Sequence, residues 1–168
     1  MRLRRCAIAI PFSMFVAMPR RRRASSLKSQ AAQASISSIS RKILRLSDPD
    51  PDARLSVAAW VKATDVTNVR APIALDALHS VWPIASADGI ICINMIHISP
   101  WEATVGLIKG AAAILPSRSL LYLYGPHKRE GFETAPSNQA FDQNLRDRDP
   151  RWCLRDLEAS AAMASPED

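Results

Sequence analysis

Residues 88–115, DGIICINMIHISPWEATVGLIKGAAAIL, constrain the fold more than any other stretch. Gly89-Ile90-Ile91-Cys92-Ile93 is a short apolar run without in/out alternation, preceded by an acid. Such a run predicts a strand buried on both faces of a parallel sheet. Asn94, His97 and Ser99 arrive as the run ends, so polar groups stand at the carboxyl end of a central strand. That edge is where open α/β sheets bind ligands. Ser99-Pro100-Trp101-Glu102 reads as a capping box with proline at the first helical position. Trp101, Val105, Ile108, Ala112 and Leu115 then recur at helical spacing, and Pro116 stops the helix.

The flanking sequence extends the alternation of strand and helix. Asp50 reads as an N-cap with Pro51 behind it, opening a helix to Thr64 that turns Leu55, Ala59 and Trp60 inward. Pro72-Ile73-Ala74-Leu75-Asp76 reads as a short strand ending on an acid, with Pro72 tolerated at its first position. Residues 119–124 (SLLYLY) make a second buried-type strand, closed by Gly125-Pro126. Helices are expected over 137–146 and 156–163. Strands alternating with helices predict an α/β protein with a parallel sheet.

Charge divides the chain in two. Residues 1–45 carry eleven Arg and Lys and no acid, while the remaining eleven bases face all sixteen acids, a net of −5. All five glycines lie at or after Gly89. The organisation expected is therefore a basic Arg/Ser-rich segment over 1–45, outside the fold, and a partial α/β domain over 46–168. Cys6, Cys92 and Cys153 are scattered and odd in number, and with His79, His97 and His127 they give no metal-ligand spacing. The apolar stretch from Cys6 to Met18 is too short to span a bilayer. A cytoplasmic protein with no membrane partner is expected, of unassigned oligomeric state.

Several strings resemble one family closely: SDPDPDAR (47–54), NVRAPIALD (68–76), INMIHISPWEAT (93–104), LYLYGPHKR (121–129), TAPSNQAFDQNLRDRDPRW (134–152) and RDLE (155–158). It is the domain-of-unknown-function family 938, similar to class I S-adenosylmethionine-dependent methyltransferases. The resemblance implies an incomplete Rossmann-like class I methyltransferase sheet with flanking helices, and S-adenosylmethionine as cofactor. It implies Asp48 at the ribose hydroxyls, Asp76 near the adenine, and Asn94 and Met95 at the methionine end. His97 and Tyr124 would serve catalysis, and Trp101 and Asn138 the substrate side, for a small-molecule methyl acceptor that the resemblance leaves unidentified. Methyl transfer depends mainly on in-line positioning, with His97 available as a base. Each residue also has a plainer reading. Asp76 can close a turn, Asp48 and Asp50 can start a helix, His97 can be a hydrogen-bonded core histidine, and Tyr124 can pack on the sheet.

The family's first strand and its G-x-G turn are missing, since no glycine precedes Gly89. A reading-frame shift accounts for this. Codons compatible with residues 25–44, read two bases later, can spell VLEVASGTGEHFIHFAQNF, which contains the absent strand and turn. Codons for residues 6–16 can likewise give RNRNPILDVRR, similar to the family's amino-terminal helix. The chain is thus expected to be a truncated or frameshifted, inactive copy, with an irregular amino-terminal region and a sheet left without its central strand. The alternatives for residues 1–45 are a signal or transit peptide, a disordered tail, or a genuine basic arm that binds nucleic acid beside a non-catalytic α/β body. Ser117-Arg118-Ser119 replaces the glycine-rich turn expected before the fifth strand, which places arginine where a positive φ is needed.

Overall fold

The computed structural model describes residues 14–18, 43–64 and 66–164. In chain order the elements are β1 (Met14–Met18), β2 (Ile43–Ser47), α1 (Pro51–Thr64), β3 (Val69–Ile73), β4 (Gly89–Ile93), a 3₁₀ turn (Met95–His97), α2 (Trp101–Ile114), β5 (Leu120–Tyr124), α3 (Pro136–Arg148) and α4 (Leu157–Ala164). The five strands form one sheet in the order β3-β2-β1-β4-β5. This is the order of the doubly wound nucleotide-binding sheets. The β2–β3 and β4–β5 pairs are parallel, as expected of strands joined by crossovers.

The central slot is filled, which corrects the expectation that residues 1–45 stay outside the fold. Met14–Met18 pairs with both β2 and β4, and Ile43, Leu44 and Arg45 belong to β2. MFVAM carries no charge, and an apolar strand in this slot supplies partners for backbone groups of β2 and β4 that would otherwise be two open edges. It runs antiparallel to both neighbours, however, so the sheet is Rossmann-like in order but not in direction. The expected irregularity of residues 1–13 and 19–42 lies outside the described residues.

One core packs between the sheet and α2. Ile90 and Cys92 of β4 meet Leu75, Trp82, Ile84 and Ala87 of the β3–β4 connection and Ala103, Leu107 and Ala111 of α2. Four expectations about facing residues change. In β4 only alternate residues, Ile90 and Cys92, are fully buried; Gly89, Ile91 and Ile93 are half-buried. In β5 Leu120, Tyr122 and Tyr124 are exposed, with Leu121 and Leu123 toward the core. Helix α2 turns its small residues inward, because a Cβ on Gly106 would strike the Ala77 carbonyl and one on Gly110 would strike the Trp82 ring. The larger Trp101, Val105 and Ile108 are left half-buried. In α1 the buried residue is Val57, while Leu55 and Trp60 are 68% and 59% exposed.

Strand β3 begins and ends three residues earlier than expected, at Val69 and Ile73, and includes Pro72. Its place at the sheet edge makes proline's missing donor tolerable. The helix after Pro100 starts without the capping box, since the Ser99 hydroxyl donates to the Met95 carbonyl at 2.8 Å instead. Arg118 does adopt φ 67°, as its place in the turn before β5 requires.

Candidate functional site

The chain turns away from β2, β3 and β4 at the carboxyl edge through loops rich in short polar residues. After β2, Asp48 Oδ1 accepts the Asp50 N–H and Asp50 Oδ1 accepts the Asp52 N–H, both at 2.9 Å, which sets the first turn of α1. After β3, Asp76 Oδ1 accepts the Leu78 N–H at 2.9 Å. After β4, Asn94 adopts the left-handed conformation at φ 55° and opens the 3₁₀ turn. The plainer readings of Asp48, Asp50 and Asp76 as turn-formers therefore hold. They leave the second oxygen of Asp48 and of Asp76 without a partner among the described residues.

These loops enclose a cleft of about 490 Å³. Asp48, Asp76 and Met95 line it together with Leu75, Ile98 and Ser99. Asp149, Arg151 and Trp152, from the α3–α4 connection, form a further wall of it. The sequence reading missed this wall. Its residues are 73 to 104 positions away in the chain from Asp48 and Asp76, and no local pattern marks Asp149-Pro150 as more than a turn. Burial, the largest influence, pushes the Asp48 carboxyl above its ordinary range. The bidentate Arg151 guanidinium, at 3.0 and 2.7 Å, holds Asp149 down at about 2.

The remaining candidates are not brought to the cleft. Asn94 and His97 turn the other way, against Gly125: a Cβ there would lie 2.5 Å from His97 Nε2 and 2.8 Å from Asn94 Oδ1. His97 is fully enclosed and packs edge-on against His127 with ring centroids 5.1 Å apart. Neither of its ring nitrogens has a hydrogen-bond partner among the described residues. Burial, helped by the neighbouring His127, lowers its pKa to about 4 and keeps the ring neutral. Tyr124 is 57% exposed on the outer face of β5 and touches this region through its carbonyl, which accepts the Asn94 N–H at 2.8 Å. Trp101 sits under the Arg155 guanidinium at 5.6 Å, and Asn138 lies half-buried in the first turn of α3.

Arg155 links the two sides. This buried guanidinium donates to the carbonyls of Ile96 (2.9 Å), Ser99 (2.6 Å) and Arg151 (3.1 Å). It thereby ties the wall of the cleft to the β4–α2 turn. Among the described residues no cluster of three or more His, Cys, Asp or Glu could hold a metal ion, and no helix is long and apolar enough to cross a membrane.

A sheet in this strand order, with a cleft at the carboxyl ends of β2, β3 and β4, defines an α/β protein with a Rossmann-like strand order. More particularly, the chain belongs to the family described as protein of unknown function (DUF938), whose profile matches residues 24–168. That match begins inside the basic segment, well before Ser47. Among solved structures, the YcgJ protein from Bacillus subtilis is similar at a TM-score of 0.52 and 21% identity, over 70% of this chain and 48% of that one. At that identity the likeness concerns the fold alone, and this chain spans about half the length of that protein.

Proposed function

We propose that this is a methyltransferase-type protein whose cleft takes the nucleoside portion of S-adenosylmethionine, and that the chain as written holds the whole cofactor weakly and is impaired in methyl transfer. The observation that carries this reading is the meeting of Asp48 and Asp76 in one cleft at the carboxyl edge, each with an oxygen to spare. Two such acceptors beside apolar Leu75 and Met95 suit the hydroxyls and ring of a nucleoside.

The methionine end is a different matter. Strand β1 has no glycine, and because it runs antiparallel its last residue, Met18, pairs with Ile43 at the opposite edge of the sheet. The described residues thus fit one half of the cofactor and supply no backbone cradle for the other. No transfer step can be routed through a group held at one end only, and the methyl acceptor stays unassigned.

Calorimetric titration tests the reading. S-adenosylmethionine and adenosine should bind with similar dissociation constants, weaker than roughly 100 μM. Micromolar affinity for the intact cofactor would sink the claim of impairment, and failure of adenosine to bind at millimolar concentration would sink the assignment of the cleft.

A further inference from the structure

Among the described residues lining the cleft, Trp152 is the only aromatic side chain and Arg151 the only basic one, and both come from the α3–α4 connection. That connection is held in place before any ligand arrives. The Trp152 N–H donates to the Asp149 carbonyl at 2.9 Å, the Cys153 N–H to the His97 carbonyl at 3.1 Å, and the Leu154 N–H to Asp142 Oδ1 at 2.7 Å. The Arg148 guanidinium lies over the Trp152 ring, 5.1 Å from its centroid. A half-buried indole fixed in this way offers a planar surface at little ordering cost, which suits a flat heterocycle.

The same segment disfavours phosphate. Asp149 engages Arg151 through Nε at 3.0 Å and Nη2 at 2.7 Å, so the guanidinium fork that would grip a phosphate already holds a carboxylate. The amino end of α1, the other common seat for an anion, is occupied in a similar manner. Its Asp50 and Asp52 N–H groups donate to the Asp48 and Asp50 carboxylates. Arg54 directs Nη1 to the carbonyls of Asp48 and Pro49 and does not line the cleft. Asp48, Asp50 and Asp76 do line it, with charge that repels an entering anion.

We propose that the α3–α4 connection is the specificity-determining wall of the cleft: Trp152 stacks on the heterocyclic base of the ligand, and the Asp149 carboxylate, by occupying Arg151, restricts the site to nucleosides without phosphate. This selectivity rests on the nucleoside reading of the cleft given above. Asp149 acts through Arg151, so its neutralisation should admit a ligand that the native cleft rejects.

Calorimetric titration of the full chain with adenosine and with adenosine monophosphate, at one ionic strength, tests it. The native protein should bind adenosine at least about tenfold more tightly than the monophosphate. Asp149→Asn keeps an acceptor for the Arg151 N–H but releases the guanidinium. It should raise the affinity for the monophosphate relative to adenosine about tenfold, and adding Arg151→Gln should return the ratio to its native value. Trp152→Ala should weaken adenosine binding about tenfold, with Trp152→Phe recovering most of the loss. Equal native affinity for the two ligands, or a ratio unmoved by Asp149→Asn, overturns the role of Asp149 and Arg151; adenosine binding untouched by Trp152→Ala overturns the stacking. Either result leaves the nucleoside reading in place, whereas absence of binding by both ligands at millimolar concentration overturns it and the selectivity together.

Discussion

Met95, Ile98 and Ser99 face the cleft, whereas Ile96 and His97, from the same short turn, are buried, His97 against Gly125 and His127. Both sides carry polar groups, yet they have opposite physical characters. On the cleft side carboxylates keep free oxygens and stand at the edge of a cavity. On the closed side an imidazole is enclosed, neutral and without hydrogen-bond partners among the described residues. Polar residues at the end of a central strand are thus only half an indication of a site. A 3₁₀ turn opened by a left-handed Asn94 distributes successive residues to different sides, and the side decides whether a group meets ligand or core.

Arg155 is the bond between the two sides, so its removal should have the largest effect. Arg155→Met keeps length and apolar contact but strips the donors from Ile96, Ser99 and Arg151 carbonyls. Charged donors contribute roughly 1.5–3 kcal/mol each, with incomplete additivity, so a loss of about 4 kcal/mol is expected in urea unfolding. A loss below about 1 kcal/mol would mean that the turn holds its shape without the clasp, and that the division between the sides has another cause.

The closed side should dominate the acid response. His97 is lowered from an ordinary value of 6.5 to about 4 in the fold. As pH falls the unfolded chain takes the proton first, so the stability is fully present above about 6.5 and is lost progressively toward pH 4. The full loss is about 3 kcal/mol at 1.36 kcal/mol per unit. Burial and the charges of His127 and Arg155 oppose its protonation and outweigh the Cys153 backbone and Asp142, which favour it. Urea midpoints at pH 7.5, 5.5 and 4.5 should therefore fall steeply for the native protein and much less for His97→Gln. Parallel slopes would place the acid sensitivity elsewhere.

The same division explains what the sequence made legible. Strand β4, the helix after Pro100 with its stop at Pro116, and the acids of the cleft follow from local chemistry: an apolar run, proline's fixed φ and Asx turns. The strain at Arg118 was equally readable, because a turn position demands its φ whatever residue fills it. Facing residues were not readable. Helix α2 was oriented by side-chain size, but close approach of Gly106 and Gly110 to Ala77 and Trp82 is a tertiary fact. The closed environment of His97 depends on Gly125, 28 positions later, and the wall at Trp152 on packing against the far end of the chain. Least readable was β1, whose five apolar residues sit in an otherwise basic segment. They gain their structure from two neighbours that need backbone partners, not from any periodicity of their own.

On the cleft side the smallest stability effect is expected, from Asp76→Asn. The turn needs one oxygen to accept the Leu78 N–H, and the asparagine carbonyl supplies it in the same place. What is lost is the charge and the second acceptor, neither of which has a partner within the described structure. Unfolding free energy should therefore change by no more than about 0.5 kcal/mol, the range of substitutions away from packed or paired groups. Asp76→Ala, which removes the turn bond as well, should cost about 1 kcal/mol. Adenosine affinity should fall in both, because asparagine presents a donor where the carboxylate offered its second acceptor. A large loss of stability in Asp76→Asn would show that this acid supports the fold as His97 does. Unchanged stability with weakened adenosine binding would instead mark the cleft as the part of the turn that is free to serve a ligand.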